Sequence, residues 1–102
     1  MYEINIGSLG FEWDDAKNAE NIRKHGVSFG EALTAFKDEC APFYFDPGHS
    51  HSEDRYLLLG MSSSHRILVI SHCYRDGGTA IRIISARKAN EHEKKEYRRY
   101  HA

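Results

Sequence analysis

Ile81-Arg82-Ile83-Ile84-Ser85-Ala86-Arg87-Lys88-Ala89 reads as a β-strand ending in two cations, with β-branched and small apolar residues between Gly77-Gly78 and a helix start at Asn90. Side chains alternate along a strand, so Ile81, Ile83, Ser85 and Arg87 are expected on one face and Arg82, Ile84 and Ala86 on the other. An arginine within an apolar run needs a carboxylate, a rim position or an anionic ligand. The planar guanidinium fork binds phosphate oxygens in pairs, the first pointer to phosphate chemistry.

On the N-terminal side of this strand the pattern is that of a sheet. Strands are expected at Phe43–Asp46, Arg55–Met61, Arg66–Tyr74 and Thr79–Ala86. They are separated by Asp46-Pro47-Gly48, Ser62-Ser63-Ser64 and Asp76-Gly77-Gly78, connections short enough to make antiparallel neighbours. Before them, Asp14-Asp15 opens a helix running to His25, with Arg23, Lys24 and His25 in its last turn and Gly26 as its cap. Ser28-Phe29-Gly30-Glu31 has capping-box spacing for a second helix ending near Asp38. A short strand is expected at Phe11-Glu12-Trp13. On the C-terminal side, Asn90 caps a charged helix to Tyr100, with Glu93 three residues on and Tyr97 and Tyr100 as its apolar anchors. So little apolar surface implies loose packing. The sum is an α+β domain spanning residues 1–102: a four-stranded, mostly antiparallel sheet with two N-terminal helices and one C-terminal helix.

With 102 residues, 40% hydrophobic and 28% charged, the chain has room for one core and neither the composition of a disordered segment nor a membrane span. Residues 1–10 lack a basic start followed by an apolar core, which points to the cytoplasm. Cys40 and Cys73 lack C-x-x-C spacing and are expected reduced and buried. A net charge of −1 argues against holding polyanions by bulk charge, so any nucleic-acid contact must be local.

Four segments together resemble the BrnT toxins of bacterial type II toxin-antitoxin systems. These are Phe11-Glu12-Trp13-Asp14 with Lys17-Asn18; Lys24 to Phe29 with Glu31-Ala32; Glu53 and Arg55-Tyr56 ahead of Gly60; and Ile81–Ala89 with Glu93. The resemblance implies a fold related to the RelE ribonucleases, cleavage of RNA that blocks translation, and neutralisation by a BrnA antitoxin. That antitoxin's ribbon-helix-helix part would carry the pair to DNA, where it represses its own operon. It implies no cofactor and no metal.

Metal-free RNA cleavage needs a base for the ribose 2′-hydroxyl, cations for the charge on the phosphorane and an acid for the departing 5′-oxygen. Arg55, Arg75, Arg82 and Arg87 lie on or beside expected strands and are candidates for phosphate binding, although each alone is better explained as a carboxylate partner, with Arg82 evenly balanced. The resemblance favours Arg75 and Arg87. It also draws His25 and Lys24 towards the site, although matching the helix dipole explains their charges. Glu53 is a second candidate base or a partner for Arg55. His72, three positions before Arg75, is a reserve candidate or a core histidine sharing a face with Leu68, Ile70 and Tyr74. Tyr97 could reach the sheet, as a C-terminal tyrosine does in RelE relatives, or simply pack.

Two readings from other classes stand beside the ribonuclease. One is a toxin-like binding module without catalysis that holds an antitoxin on DNA. The other is metal handling by His49 and His51 with Asp46, Glu53 and Asp54, whose spacing lacks a second ligand pair.

Overall fold

The computed structural model describes residues 2–6, by backbone alone, and 9–100. Six strands, β1 (Tyr2–Ile6), β2 (Leu9–Trp13), β3 (Phe43–Phe45), β4 (Tyr56–Met61), β5 (Ile67–Arg75) and β6 (Ala80–Lys88), form one sheet in the order β1-β2-β6-β5-β4-β3. From β3 to β6 the neighbours are antiparallel, as the short connections require. The four expected strands are present, and the short strand expected at Phe11–Trp13 lies within β2 and adds to their sheet. β2 joins β6 in parallel, Phe11 opposite Ile81, and β1 adds an antiparallel strand outside it.

Helix α1 (Asp15–His25) begins where the Asp14 carboxylate accepts from the Ala16 and Lys17 amides, and ends at Gly26 with φ 68°, the left-handed cap that glycine adopts without strain. Helix α2 (Phe29–Ala35) starts at Ser28, whose Oγ accepts from the Glu31 amide at 3.0 Å. Only this half of the capping box forms among the described residues, for Glu31 turns to Arg66 and to the Ser62 hydroxyl on the β4–β5 turn. Beyond Ala35 the chain tightens into i→i−3 hydrogen bonds, so the helix stops short of Asp38. It needs the bare Gly60 beneath it: a Cβ there would stand 2.9 Å from the Ala35 carbonyl oxygen.

Both helices cover one face of the sheet. Phe11, Trp13, Val27, Phe29, Leu33, Leu58, Leu68, Ile70, Ile81 and Ile83 are among the residues that fill this main core. On the other face helix α3 (Glu91–Arg99) lies over a smaller core of Leu59, Val69, Ala89 and Tyr97. It is held better than its composition suggests. Asn90 and Glu93 form a reciprocal capping box, and Tyr97, only 3% exposed, donates its hydroxyl to Asp38 at 2.5 Å. Tyr100, expected to share the anchoring, is 54% exposed. Cys73 is buried as expected, while Cys40 is exposed because it lies on the surface turn after α2.

The strict alternation expected along β6 is broken by a bulge. Ser71 pairs with Ser85 but His72 pairs with Ile83, which leaves Ile84 as the extra residue. Ile81, Ile83 and Ala86 therefore all face the main core. Arg82 and Arg87, expected on opposite faces, share the face away from α1 and α2. Asn21, buried on α1, secures the strand beyond the bulge, where β2 has already ended: its side-chain amide donates to the Ala86 carbonyl at 2.7 Å and accepts from the Ala86 N–H at 3.1 Å.

Candidate active site

The face left partly open by α3 carries a cleft of about 250 Å³ lined by Arg55, Arg87, His49, Asp46, Ser71 and Ser85, with Leu57, Val69 and Ile84 as its apolar floor. Strand pairing explains the gathering. Leu57 opposes Ser71, Ser71 opposes Ser85 and Val69 opposes Arg87, so residues distant in sequence stand in one row across β4, β5 and β6. The Ile84 bulge sets Ser85 and Arg87 in that row.

The two cations differ. Arg87 makes a fork-to-fork pair with Glu93 on α3, both contacts at 2.8 Å, and Glu93 also accepts from the Asn90 N–H at 2.9 Å. The Arg87 hydrogen bonds hold the Glu93 carboxyl below its ordinary range. Arg55 makes no ion pair among the described residues. Its backbone is fixed instead: its N–H donates to Ser50 Oγ at 2.9 Å and its carbonyl accepts from the Asp46 N–H at 2.8 Å.

Arg75 and Arg82 lie farther along the same face, each against a carboxylate. Arg75 meets Glu53 at 3.3 Å and Arg82 meets Glu12 at 3.1 Å. Glu53 thus serves as partner to Arg75, not Arg55, and does not line the cleft. The remaining candidates are elsewhere. Lys24 and His25 are exposed at the C-terminal end of α1, across the sheet from the cleft, with Lys24 3.7 Å from Glu20. His72 is fully buried on the α1–α2 face among Phe36, Tyr56 and Tyr74. Burial pushes its imidazole below the ordinary value of 6.5, Nδ1 lies 3.2 Å from the Ile70 carbonyl oxygen, and Nε2 has no hydrogen-bond partner among the described residues.

The cleft also contains residues that the sequence presented otherwise. Pro47 and Gly48 form a short 3-10 turn that brings His49 Nδ1 to 2.9 Å from Asp46 Oδ2. The Asp46-x-x-His49 spacing across Pro-Gly is the available signal, whereas the sequence presents His49-x-His51 with Asp46, Glu53 and Asp54 as a weak metal motif. Among the described residues, no group of three or more His, Cys, Asp or Glu side chains is placed to hold a metal. Ser71 and Ser85 carried no sequence signal, since serine within a strand is common.

The family model for the ribonuclease toxin BrnT of type II toxin-antitoxin systems matches residues 13–93. The chain belongs to the BrnT family. The 1.1 Å crystal structure of the Brucella abortus ribonuclease toxin BrnT is similar to it, with 25% sequence identity and a TM-score of 0.57 over 78% of this chain and 94% of that one. No curated protein matched the sequence. Membership makes this a ribonuclease toxin of a type II system, a class that implies an antitoxin partner. Among the described residues no helix is long and apolar enough to cross a membrane.

Proposed function

We propose that the chain cleaves RNA at the cleft between Arg55 and Arg87 without a metal ion, and so arrests translation until a BrnA-like ribbon-helix-helix antitoxin covers this face. The observation that carries this is the convergence of two guanidinium groups on one cleft beside an imidazole and two hydroxyls. Arg55 offers its fork to the scissile phosphate, and Arg87 adds positive charge from within its pair with Glu93. Both act where charge grows on the phosphorane, the position at which a preorganised donor contributes most to rate. Arg75 and Arg82, matched by Glu53 and Glu12, give the flanking strip a balanced charge over which neighbouring phosphates pass. DNA would be reached only through the antitoxin.

The test is induced expression in bacteria, alone and with the antitoxin gene, with growth followed and RNA ends mapped. Arrest relieved by the antitoxin, and cutting that persists in EDTA and leaves 2′,3′-cyclic phosphate ends, is expected. Arg55→Ala should lower cleavage at least about 100-fold, the usual scale for losing one donor to the developing charge. Because Arg55 makes no ion pair among the described residues, it should do so without lowering the melting temperature. Cutting lost in chelator would point to metal chemistry. Soluble protein that binds antitoxin tightly yet cuts nothing would favour a non-catalytic module in operon repression.

A further inference from the structure

Three features outside the assignments above could carry chemistry. The aromatic edge strand β3, with Phe43 and Phe45 at least half exposed, has nothing that says what covers it. The groove of His65, Lys88, Lys94 and Arg98 is basic, but nothing in it selects one anionic ligand, and Lys94 lies 3.4 Å from Glu91. The Asp46–His49 pair is different, because it is oriented, lies in the cleft and faces the cations there.

The geometry points to His49 as the catalytic base of RNA cleavage, with Asp46 as its positioning residue; this rests on the ribonuclease function proposed above. An ionised carboxylate only accepts hydrogen bonds, so Asp46 Oδ2 at 2.9 Å places the proton on His49 Nδ1 and leaves the lone pair on Nε2. Asp46 is held in turn, since its carbonyl accepts from the Ser50 hydroxyl at 2.5 Å and its N–H donates to the Arg55 carbonyl at 2.8 Å. The imidazole itself is 72% exposed, which leaves Nε2 reachable by a polymer too large to enter an enclosed pocket.

In the reaction, Nε2 takes the proton of the ribose 2′-hydroxyl as the 2′-oxygen bonds to phosphorus. The bond from phosphorus to the 5′-oxygen breaks with its electron pair going to that oxygen, which takes a proton from water. The products are a 2′,3′-cyclic phosphate and a 5′-hydroxyl, and the imidazolium returns its proton to solvent. The charged groups that line the cleft with His49 are Asp46 from its own turn, whose carboxylate attracts an imidazolium, and Arg55, just before β4, with Arg87 of β6, which repel it.

The experiment is single-turnover cleavage, in chelator and from pH 5 to 9, of a mixed-sequence oligoribonucleotide and of mRNA in a translation extract. The wild-type rate should rise with pH and level off as the base loses its proton. His49→Ala and His49→Gln should each lower the plateau at least about 100-fold, the lower end for general acid–base catalysis, and free imidazole should restore part of the alanine variant's rate. His51→Ala, in the same loop but outside the cleft, should cut like the wild type. Asp46→Asn should lower the maximal cleavage rate more than it raises the half-saturating concentration, because the imidazole loses the carboxylate that fixes its tautomer and orientation. A His49→Ala chain that cuts within about twofold of wild type with an unchanged profile overturns the proposal and leaves the ribonuclease intact. An Asp46→Asn chain with an unchanged maximal rate overturns the positioning role. A wild-type chain that cuts neither substrate removes the ribonuclease function and this base together.

Discussion

At the scale of single residues, the chain separates two histidines by environment. His49 stands exposed beside a carboxylate, whereas His72 is sealed among aromatic rings with Nε2 unpaired among the described residues. A buried imidazole that keeps neutral in the fold binds fewer protons there than in the unfolded chain. The folded value lies below the ordinary 6.5, so its contribution is complete above that pH and is lost as acid carries the protein down towards the lowered value. One such proton gives a slope of at most about 1.4 kcal/mol per pH unit. His72→Phe should retain the ring packing, remove the unpaired nitrogen and abolish that slope, as urea midpoints measured between pH 7 and 5 will show. An unchanged slope would assign acid sensitivity to other groups. The sequence placed His72 correctly on a face with Leu68 and Ile70, and that face proved to be the one opposite the arginines.

At the scale of elements, α3 is the part most open to control. Its anchors are Tyr97 against Asp38 and the Glu93 fork on Arg87, and both lie at its junction with the sheet. Because Arg87 holds Glu93 below its ordinary 4.5, the docking this pair supplies is present above that pH and disappears as pH falls through the lowered folded value. Arg87 is 43% exposed on its side chain, so solvent screens the pair and its share of stability is modest. Glu93→Gln should raise amide exchange in α3 several-fold at neutral pH, leave β4 and β5 protected, and remove the acid dependence of that exchange. Exchange unchanged in α3 would show that Tyr97 and the apolar contacts hold the helix alone. The capping box was legible from Asn90 and Glu93. The second use of Glu93 was not, since it depends on where β6 ends relative to the first turn of α3.

At the scale of the whole molecule, a chain of net charge −1 must hold RNA through a local patch. Displaced counterions set the salt dependence of such binding, with a slope of about −0.7 in log–log form for each phosphate neutralised on a single strand. Two cleft arginines predict a slope of about −1.4, to be read from titration of a catalytically silent variant with a short oligoribonucleotide between 50 and 300 mM salt. A slope of about −3.5 would mean that the basic groove of Lys88, Lys94 and Arg98 also tracks the backbone. The sheet that builds the patch is larger than expected, because β2 and β1 extend it beyond β6 on the side away from the cleft.

The sequence by itself determined the local structure: the caps at Asp14, Ser28 and Asn90, the left-handed Gly26, and the antiparallel run from β3 to β6. These follow from side-chain chemistry and hydrophobic period within a few residues, and the matched tetrads carried the family as well. Which arginines meet was decided by tertiary structure. A single extra residue at Ile84 changes the phase of β6 and turns Arg82 and Arg87 to the same face, and nothing in the order of side chains marks a bulge. Strand register then set Arg55 near Arg87 and the Pro47-Gly48 turn brought Asp46 and His49 beside them, while α1 carried Lys24 and His25 to the other side. Pairing across a sheet is a long-range choice made by the whole core, so the composition of the site became legible only once the fold had closed.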